Sequence, residues 1–89
     1  MNGQAFKMTL NQFKEALVEM GYREHTTANN DIEVFKKRNN RIDIYCGGDY
    51  YNVYYEKQVK SGTIEYNQHH VDFAKALRNI EKFERKIGR

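Results

Sequence analysis

Three short turn signals divide the middle of the chain, and they constrain its fold more than any other feature. Asn39-Asn40, Gly47-Gly48 and a turn around Ser61-Gly62 separate segments rich in β-branched and aromatic residues. Such dipeptides are typical of tight hairpin turns. The four segments between them, 31–38, 41–46, 49–59 and 63–66, are therefore predicted to be strands. Strands joined by short turns pair with their neighbours in sequence, which predicts a four-stranded antiparallel meander.

A helix precedes this sheet, and the sequence marks both of its ends. Thr9 as N-cap and Gln12 three residues later form a capping box. Gly21 is predicted to end the helix in a Schellman motif, with Tyr22 packed on Leu17. The residues on its buried side are predicted to be Leu10, Phe13, Leu17 and Met20, which recur at helical spacing.

The last part of the chain predicts a second, strongly amphipathic helix. Its apolar arc consists of Phe73, Ala76, Leu77, Ile80, Phe83 and Ile87. A second arc, roughly opposite, consists of Lys75, Arg78, Lys82, Arg85, Lys86 and Arg89. Since successive residues of a helix turn by about 100°, one side is predicted to be buried while a basic stripe faces water.

The turns also assign the strand residues to two faces. With Gly47-Gly48 as a two-residue turn, Tyr45 pairs with Tyr50, and Ile44 pairs with Tyr51. The inner face then consists of Ile42, Ile44, Tyr51, Val53 and Tyr55, joined by Ile64 across the last turn. The outer face carries Tyr45, Tyr50 and Tyr54 beside Arg41, Asp43, Asn52 and Glu56. Both helices should pack on the inner face, giving an α+β two-layer sandwich with the order α-β-β-β-β-α.

The register of the first hairpin has two solutions. A two-residue turn at Asn39-Asn40 buries Phe35 and leaves Ile32 and Val34 on the outer face. A three-residue turn buries Ile32 and Val34 instead. We prefer the first solution, and both keep the three tyrosines on the outer face.

Length and composition indicate one small intracellular domain. With 89 residues the chain is predicted to form a single domain over 1–89, in which 1–7 are flexible or extended and 23–30 form a surface loop. The single cysteine, Cys46, can close no internal disulfide, and no apolar run approaches a membrane span, which together favour the cytoplasm. The abundance of Lys, Asn, Ile and Tyr indicates an AT-rich genome, such as that of a low-GC bacterium or its phage.

The outer tyrosines are the principal functional candidates. Paired tyrosines at 50/51 and 54/55 cannot all point to one face of a strand, so some must lie outside the core. Exposed tyrosine is suited to binding proteins, although cross-strand tyrosine pairs also stabilise sheets without a ligand. We predict a protein or nucleoprotein contact at Tyr45, Tyr50, Tyr54, Arg41 and Asn52. A homodimer through the same face is an alternative.

The basic stripe is the second candidate surface. Lys75, Arg78, Lys82, Arg85 and Arg89 are spaced to follow a phosphate backbone, and the net charge of +3 favours an anionic partner. A run of cations opposite an apolar face is also the ordinary solvated side of a helix. Direct RNA or DNA binding, with the outer tyrosines stacked on bases, is therefore the alternative function.

Catalysis is a weaker alternative. His25 or His69 with Glu65 resembles the acid-base groups of a ribonuclease, and such a toxin-like ribonuclease would depend on histidine. His69 and His70 are adjacent and do not converge on one ion, so the sequence predicts no metal site, and it contains no cofactor motif. The leading prediction is a non-catalytic inhibitor or adaptor from a bacterial phage or mobile element.

Overall fold

The computed structural model describes residues 7–85, in which two helices flank a five-stranded sheet along the chain. The elements are α1 Leu10–Glu19, β1 Arg23–His25, β2 Ile32–Lys37, β3 Asn40–Cys46, β4 Tyr51–Val59, β5 Gly62–Gln68 and α2 Phe73–Glu84. All neighbouring strands are antiparallel and lie side by side in chain order. This confirms the predicted α+β class. The expectations for residues 1–6, Lys86, Ile87 and Arg89 lie outside the described residues.

The prediction of four strands is wrong by one. Arg23–His25, predicted to be part of a surface loop, forms strand β1 at the edge of the sheet. All of its residues are exposed, and it pairs with β2 from Arg23 opposite Lys36 to His25 opposite Val34. The strand is therefore made by backbone pairing, and it lacks the apolar alternation by which a strand is recognised in sequence.

Helix α1 has the two ends that its sequence predicts. The Thr9 hydroxyl accepts from the Gln12 N–H at 3.1 Å, and the Gln12 side chain accepts from the Thr9 N–H at 2.9 Å. At the other end the Tyr22 N–H donates to the Leu17 carbonyl and Gly21 adopts a φ of 102°, as a Schellman motif requires. This ending turns the chain directly into β1.

Each of the three predicted hairpin turns is displaced by one residue. The first turn is Arg38-Asn39, and the last is Lys60-Ser61. In the middle hairpin the Gly47 N–H donates to the Tyr50 carbonyl at 2.8 Å, which centres the turn on Gly48 and Asp49. Moving a two-residue turn by one position changes the sum of the two residue numbers in each cross-strand pair by two. Every side chain therefore keeps its face, although its cross-strand partner changes.

The core lies between the two helices and the inner face of the sheet. Phe13 and Leu17 of α1 and Ala76 and Ile80 of α2 are buried. They share one cluster with strand residues that are also buried, namely Phe35, Ile42, Ile44, Val53 and Tyr55. This confirms the preferred inner position of Phe35, and it leaves the other face of the sheet without a covering layer among residues 7–85.

Candidate binding surfaces

The outer face of the sheet is built from alternate residues of all five strands. One cross-strand row runs His25, Val34, Asp43, Tyr54 and Asn67 from β1 to β5. Tyr45 and Asn52 are paired in the next row, as neighbours on β3 and β4. Successive side chains of a strand point to opposite faces, so the burial of Tyr55 in the core turns Tyr54 outward.

Two of the predicted tyrosines flank a shallow depression on this face. Tyr45 is 38% exposed, and Tyr54 is half-buried. The depression, of about 390 Å³, is bounded by these two rings together with Asn52, Asn67 and His69. The phenol of Tyr45 lies 3.4 Å from Asp43 Oδ2 and that of Tyr54 lies 3.4 Å from Glu56 Oε1, both long contacts. Both hydroxyls can therefore turn to a partner.

The phenols of this face are held in their neutral form. Partial burial raises the pKa of Tyr45, and the Asp43 carboxylate beside it raises that pKa further. Desolvation likewise raises the pKa of Tyr54, with smaller contributions from the carboxylates of Glu65 and Glu56. Each ring therefore offers an apolar surface and a hydroxyl donor at neutral pH.

Tyr50 does not lie on the outer face, and its predicted pairing with Tyr45 is wrong. Because the turn is centred on Gly48 and Asp49, Tyr50 is the first residue after it. The Tyr50 ring stacks on His70 with centroids 4.0 Å apart. Tyr45 is paired with Asn52 instead. Tyr50 is still 39% exposed, but it belongs to the end of the sheet from which both helices begin.

Arg41 and Asn52, the two polar residues predicted at the surface, have structural contacts of their own. Arg41 Nε donates to Asp43 Oδ1 at 2.8 Å, and this bond raises the pKa of the arginine. The Asn52 side chain accepts from the His70 N–H at 3.1 Å and so fixes the connection between β5 and α2. Arg41 remains exposed and can contact a partner with its other donors.

The outer face is electrically polarised, which the sequence did not predict. One row consists of Arg23, Lys36, Arg41, Glu56 and Glu65, with one residue from each strand. Within this row the cations lie on β1 to β3 and the carboxylates on β4 and β5, whereas the Asp43 carboxylate of another row also lies on β3. This row depends on β1 and on the displaced turns, so the predicted pairings did not assemble it.

The basic stripe of α2 is exposed, as predicted. Lys75, Arg78, Lys82 and Arg85 are all exposed, and within residues 7–85 none of them forms an ion pair. Arg89, which was predicted to extend the stripe, is outside the described residues. Because α2 packs with its apolar side on the inner face of the sheet, its basic stripe and the outer tyrosines lie on opposite layers.

A larger cleft, of about 770 Å³, lies where the two helices begin, and the sequence gave no signal for it. Its lining includes Thr9 and Asp72, the N-caps of the two helices, together with Tyr50 and His70. Asp72 already accepts from the Lys75 N–H at 3.2 Å. The lining contains the carboxylates of Asp72 and Asp49 and the ammonium of Lys7, so its charges do not select an anion.

His25 and Glu65, one of the two acid-base pairs that the sequence suggested, lie far apart. His25 lies on β1 and Glu65 on β5, which are opposite edges of the sheet. Four strand spacings separate them, or about 19 Å, far beyond the reach of a hydrogen bond. In the described part of the chain no three His, Cys, Asp or Glu side chains are grouped so as to hold a metal ion.

Comparisons with known proteins gave no relative of this chain. No family model, no curated protein and no solved structure matches it. Across residues 7–85, neither helix has the length and apolar character needed to cross a bilayer.

Proposed function

We propose that the protein is a non-catalytic binding protein, an inhibitor or adaptor of a phage or mobile element, that engages a protein target through the outer face of its sheet. The observation that carries the proposal is the uncovered face itself. Among the described residues both helices pack on the inner side, and Tyr45 and Tyr54 flank a depression on the other. Exposed tyrosines around a concave site are the usual anchors of protein interfaces.

The charge of the face supports a protein target. The row from Arg23 to Glu65 has cations at one end and carboxylates at the other, so this row is dipolar. A nucleic acid would meet two carboxylates, Glu56 and Glu65, on the half nearest Tyr54, and these repel phosphates. A protein surface with the opposite arrangement of charges matches this row along its whole length.

The test compares substitutions on the two layers of the molecule. Tyr45→Ala/Tyr54→Ala removes both anchors, while Lys75→Ala/Lys82→Ala changes only the helix layer and serves as the matched control. Each purified variant is used to capture partners from a low-GC bacterial lysate, with and without nuclease. The proposal is supported by a partner that is still captured after nuclease treatment and by Lys75→Ala/Lys82→Ala, but is not captured by Tyr45→Ala/Tyr54→Ala. A partner lost only with the helix change, or a tyrosine variant that fails to fold, contradicts it.

A second copy of the chain is the alternative occupant of the same face. Light scattering on the purified protein measures this directly, because a dimer through the tyrosines would dissociate in Tyr45→Ala/Tyr54→Ala. A dimer that persists in that variant would use another surface.

Direct binding of RNA or DNA by α2 is the second candidate function. It is favoured by the exposure of Lys75, Arg78, Lys82 and Arg85, for which the described residues provide no ion-pair partners. If these cations contact phosphates, affinity for an oligonucleotide falls steeply with salt, and Arg78→Ala/Lys82→Ala flattens the slope by about 2 in log–log form. An affinity that is undetectable or indifferent to salt removes this candidate.

A further inference from the structure

The two edges of the sheet are unlike each other. Edge strands expose unpaired backbone groups, and proteins blunt them with short strands, lysines, prolines or bulges. At one edge, β1 is only three residues long and consists of Arg23-Glu24-His25. At the other edge, β5 is seven residues long and contains no lysine or proline. Its pairing with β4 is continuous from Val59 opposite Gly62 to Val53 opposite Gln68, so it has no bulge either.

The backbone of β5 presents three residues to this edge. The Gln58 N–H donates to the Asn39 carbonyl, so the backbone groups of Gln58 point away from β5. Backbone direction alternates along an antiparallel strand, so the odd-numbered residues of β4 bond to the even-numbered residues of β5. Thr63, Glu65 and Asn67 therefore direct their N–H and C=O groups outward. Within residues 7–85 no strand pairs with them.

Helix α2 places positive charge above the same edge. Asn79 Nδ2 donates to the Tyr66 hydroxyl at 3.1 Å, which turns the Asn79 side of α2 toward β5. Lys75 and Lys82 are four residues before and three residues after Asn79, so all three share one side of the helix. The opposite side of the helix faces β2, where Glu84 pairs with Lys37 at 2.8 Å. The two exposed lysines therefore flank the outer edge of β5 on the inner side of the sheet.

From these two features we propose that β5 accepts an extended, acidic segment of a partner protein as a sixth strand. Its backbone pairs with Thr63, Glu65 and Asn67, and every second side chain points to the layer of α2. Carboxylates at those positions meet Lys75 and Lys82. This is recognition by strand addition, in which the backbone supplies affinity and alternate side chains supply specificity. The site is separate from the outer face and does not depend on the function proposed there.

Charge argues against a second copy of the chain in this position. Antiparallel pairing of β5 with itself about a twofold axis at the centre of the strand places Glu65 opposite its own equivalent. The same arrangement brings the lysine-bearing sides of two α2 helices together. Like charges directly opposite each other destabilise a sheet. An acidic segment meets the two lysines with opposite charge.

The probe is a blocked heptapeptide that alternates glutamate and valine, titrated into the ¹⁵N-labelled full chain. We expect the amide signals of Thr63, Glu65 and Asn67 to shift most and to gain protection from hydrogen exchange. Two peptide controls keep the protein unchanged. N-methylation of the backbone that faces β5 removes donors but keeps charge, and exchange of glutamate for lysine keeps donors but reverses charge. Both controls should abolish binding.

Protein variants separate the edge from the charge. Lys75→Gln/Lys82→Gln should lower the affinity for the peptide by about 3- to 30-fold, the range expected for two exposed charge pairs. Arg78→Gln/Arg85→Gln removes the same charge from the half of the basic stripe that lies farther from Asn79, so it should weaken peptide binding less than Lys75→Gln/Lys82→Gln does. Glu65→Pro deletes the central N–H and should abolish binding while the protein remains folded, since proline is tolerated at an open edge.

Several results overturn the proposal. These are the absence of amide shifts at millimolar peptide, shifts confined to other strands, and equal binding of the N-methylated peptide. Shifts of the β5 amides that depend on protein concentration without peptide assign the edge to a second copy. An oligo(dT) strand that displaces the peptide and binds more tightly through Lys75 and Lys82 assigns that flank to nucleic acid. Failure of the tyrosine experiment above would leave all these readings unaffected.

Discussion

The neighbouring residues Tyr54 and Tyr55 provide the sharpest test of which face of the sheet is open. The Tyr55 side chain is fully buried, and its hydroxyl donates to Asn40 Oδ1 at 2.5 Å. Asn40 is itself only 7% exposed. The Tyr54 hydroxyl lies on the outer face, 3.4 Å from Glu56 Oε1. The pair of substitutions Tyr55→Phe and Tyr54→Phe removes one oxygen atom from each side of the same strand.

The expected free energies differ because only one hydroxyl leaves a buried group behind. Tyr55→Phe leaves Asn40 Oδ1 without a donor in a site closed to water, which costs about 1–3 kcal/mol of the free energy of unfolding. At roughly 4–8 °C per kcal/mol for a domain of this size, a central value of about 2 kcal/mol lowers the Tm by about 8–16 °C. Tyr54→Phe should change the free energy by no more than about 0.5 kcal/mol, as is usual at a surface.

Urea unfolding followed by far-UV circular dichroism measures both variants against the native chain. The urea dependence of the unfolding free energy should be the same in all three proteins, so that midpoint shifts report stability alone. Equal losses in the two variants, or a larger loss in Tyr54→Phe, would refute the assignment of Tyr55 to the core and Tyr54 to the outer face. The candidate surface would then be lost as well.

Two further predictions concern stability. Gly21→Ala places a Cβ on a backbone with φ of 102° and within 3.1 Å of Lys37 Cδ, so it should lower the free energy of unfolding by about 1–2 kcal/mol. Gly48 has a φ of 84° but open space around it, so Gly48→Ala is the control and should lower the free energy less. Thermal unfolding measures both variants. Burial raises the pKa values of Tyr22 and Tyr55 above the usual value of tyrosine, about 10. The unfolded chain therefore loses these protons first, and stability falls as pH rises above about 10. The free energy of unfolding should fall with pH by up to about 1.4 kcal/mol per pH unit for each tyrosine, and this slope should be smaller in Tyr55→Phe. Urea midpoints measured between about pH 9.5 and 11.5 test this, and the same slope in both proteins would contradict the linkage.

The faces of the sheet could be predicted from the sequence more securely than its residue pairs. Ile42, Ile44, Val53 and Tyr55 are all buried as predicted, even though each of the three turns lies one residue from its predicted place. The reason is that the assignment of faces depends only on whether two paired numbers sum to an odd or an even value. The cross-strand partner of each residue depends on which two residues form the turn, and Arg38 is an example. It adopts a φ of 53° at the turn that the sequence had placed at Asn39-Asn40.

Elements made by the backbone could not be predicted in this way. Strand β1 contains no buried residue, so its sequence has neither an apolar alternation nor a preference for the inner face. Its position follows from the ending of α1 and from the free edge of β2, which are both tertiary features. Tyr50 was misplaced for a related reason. Its stacking on His70 joins two segments far apart in sequence, and no local pattern records it.

The proposed contact surface is already ordered before a partner binds. Val34 is only 4% exposed and Asp43 only 5% exposed, although both lie on a face that no described element covers. Arg41 and Tyr45, which lie on the same face, both contact the Asp43 carboxylate. Association costs about 0.5–1.5 kcal/mol for each flexible side chain that it immobilises. Since this carboxylate already restrains the guanidinium of Arg41 at 2.8 Å, a partner that docks on Arg41 avoids part of that cost. Asp43→Asn keeps the size of the side chain but weakens the restraint on Arg41, so it should lower the measured affinity of a captured partner even though residue 43 is buried.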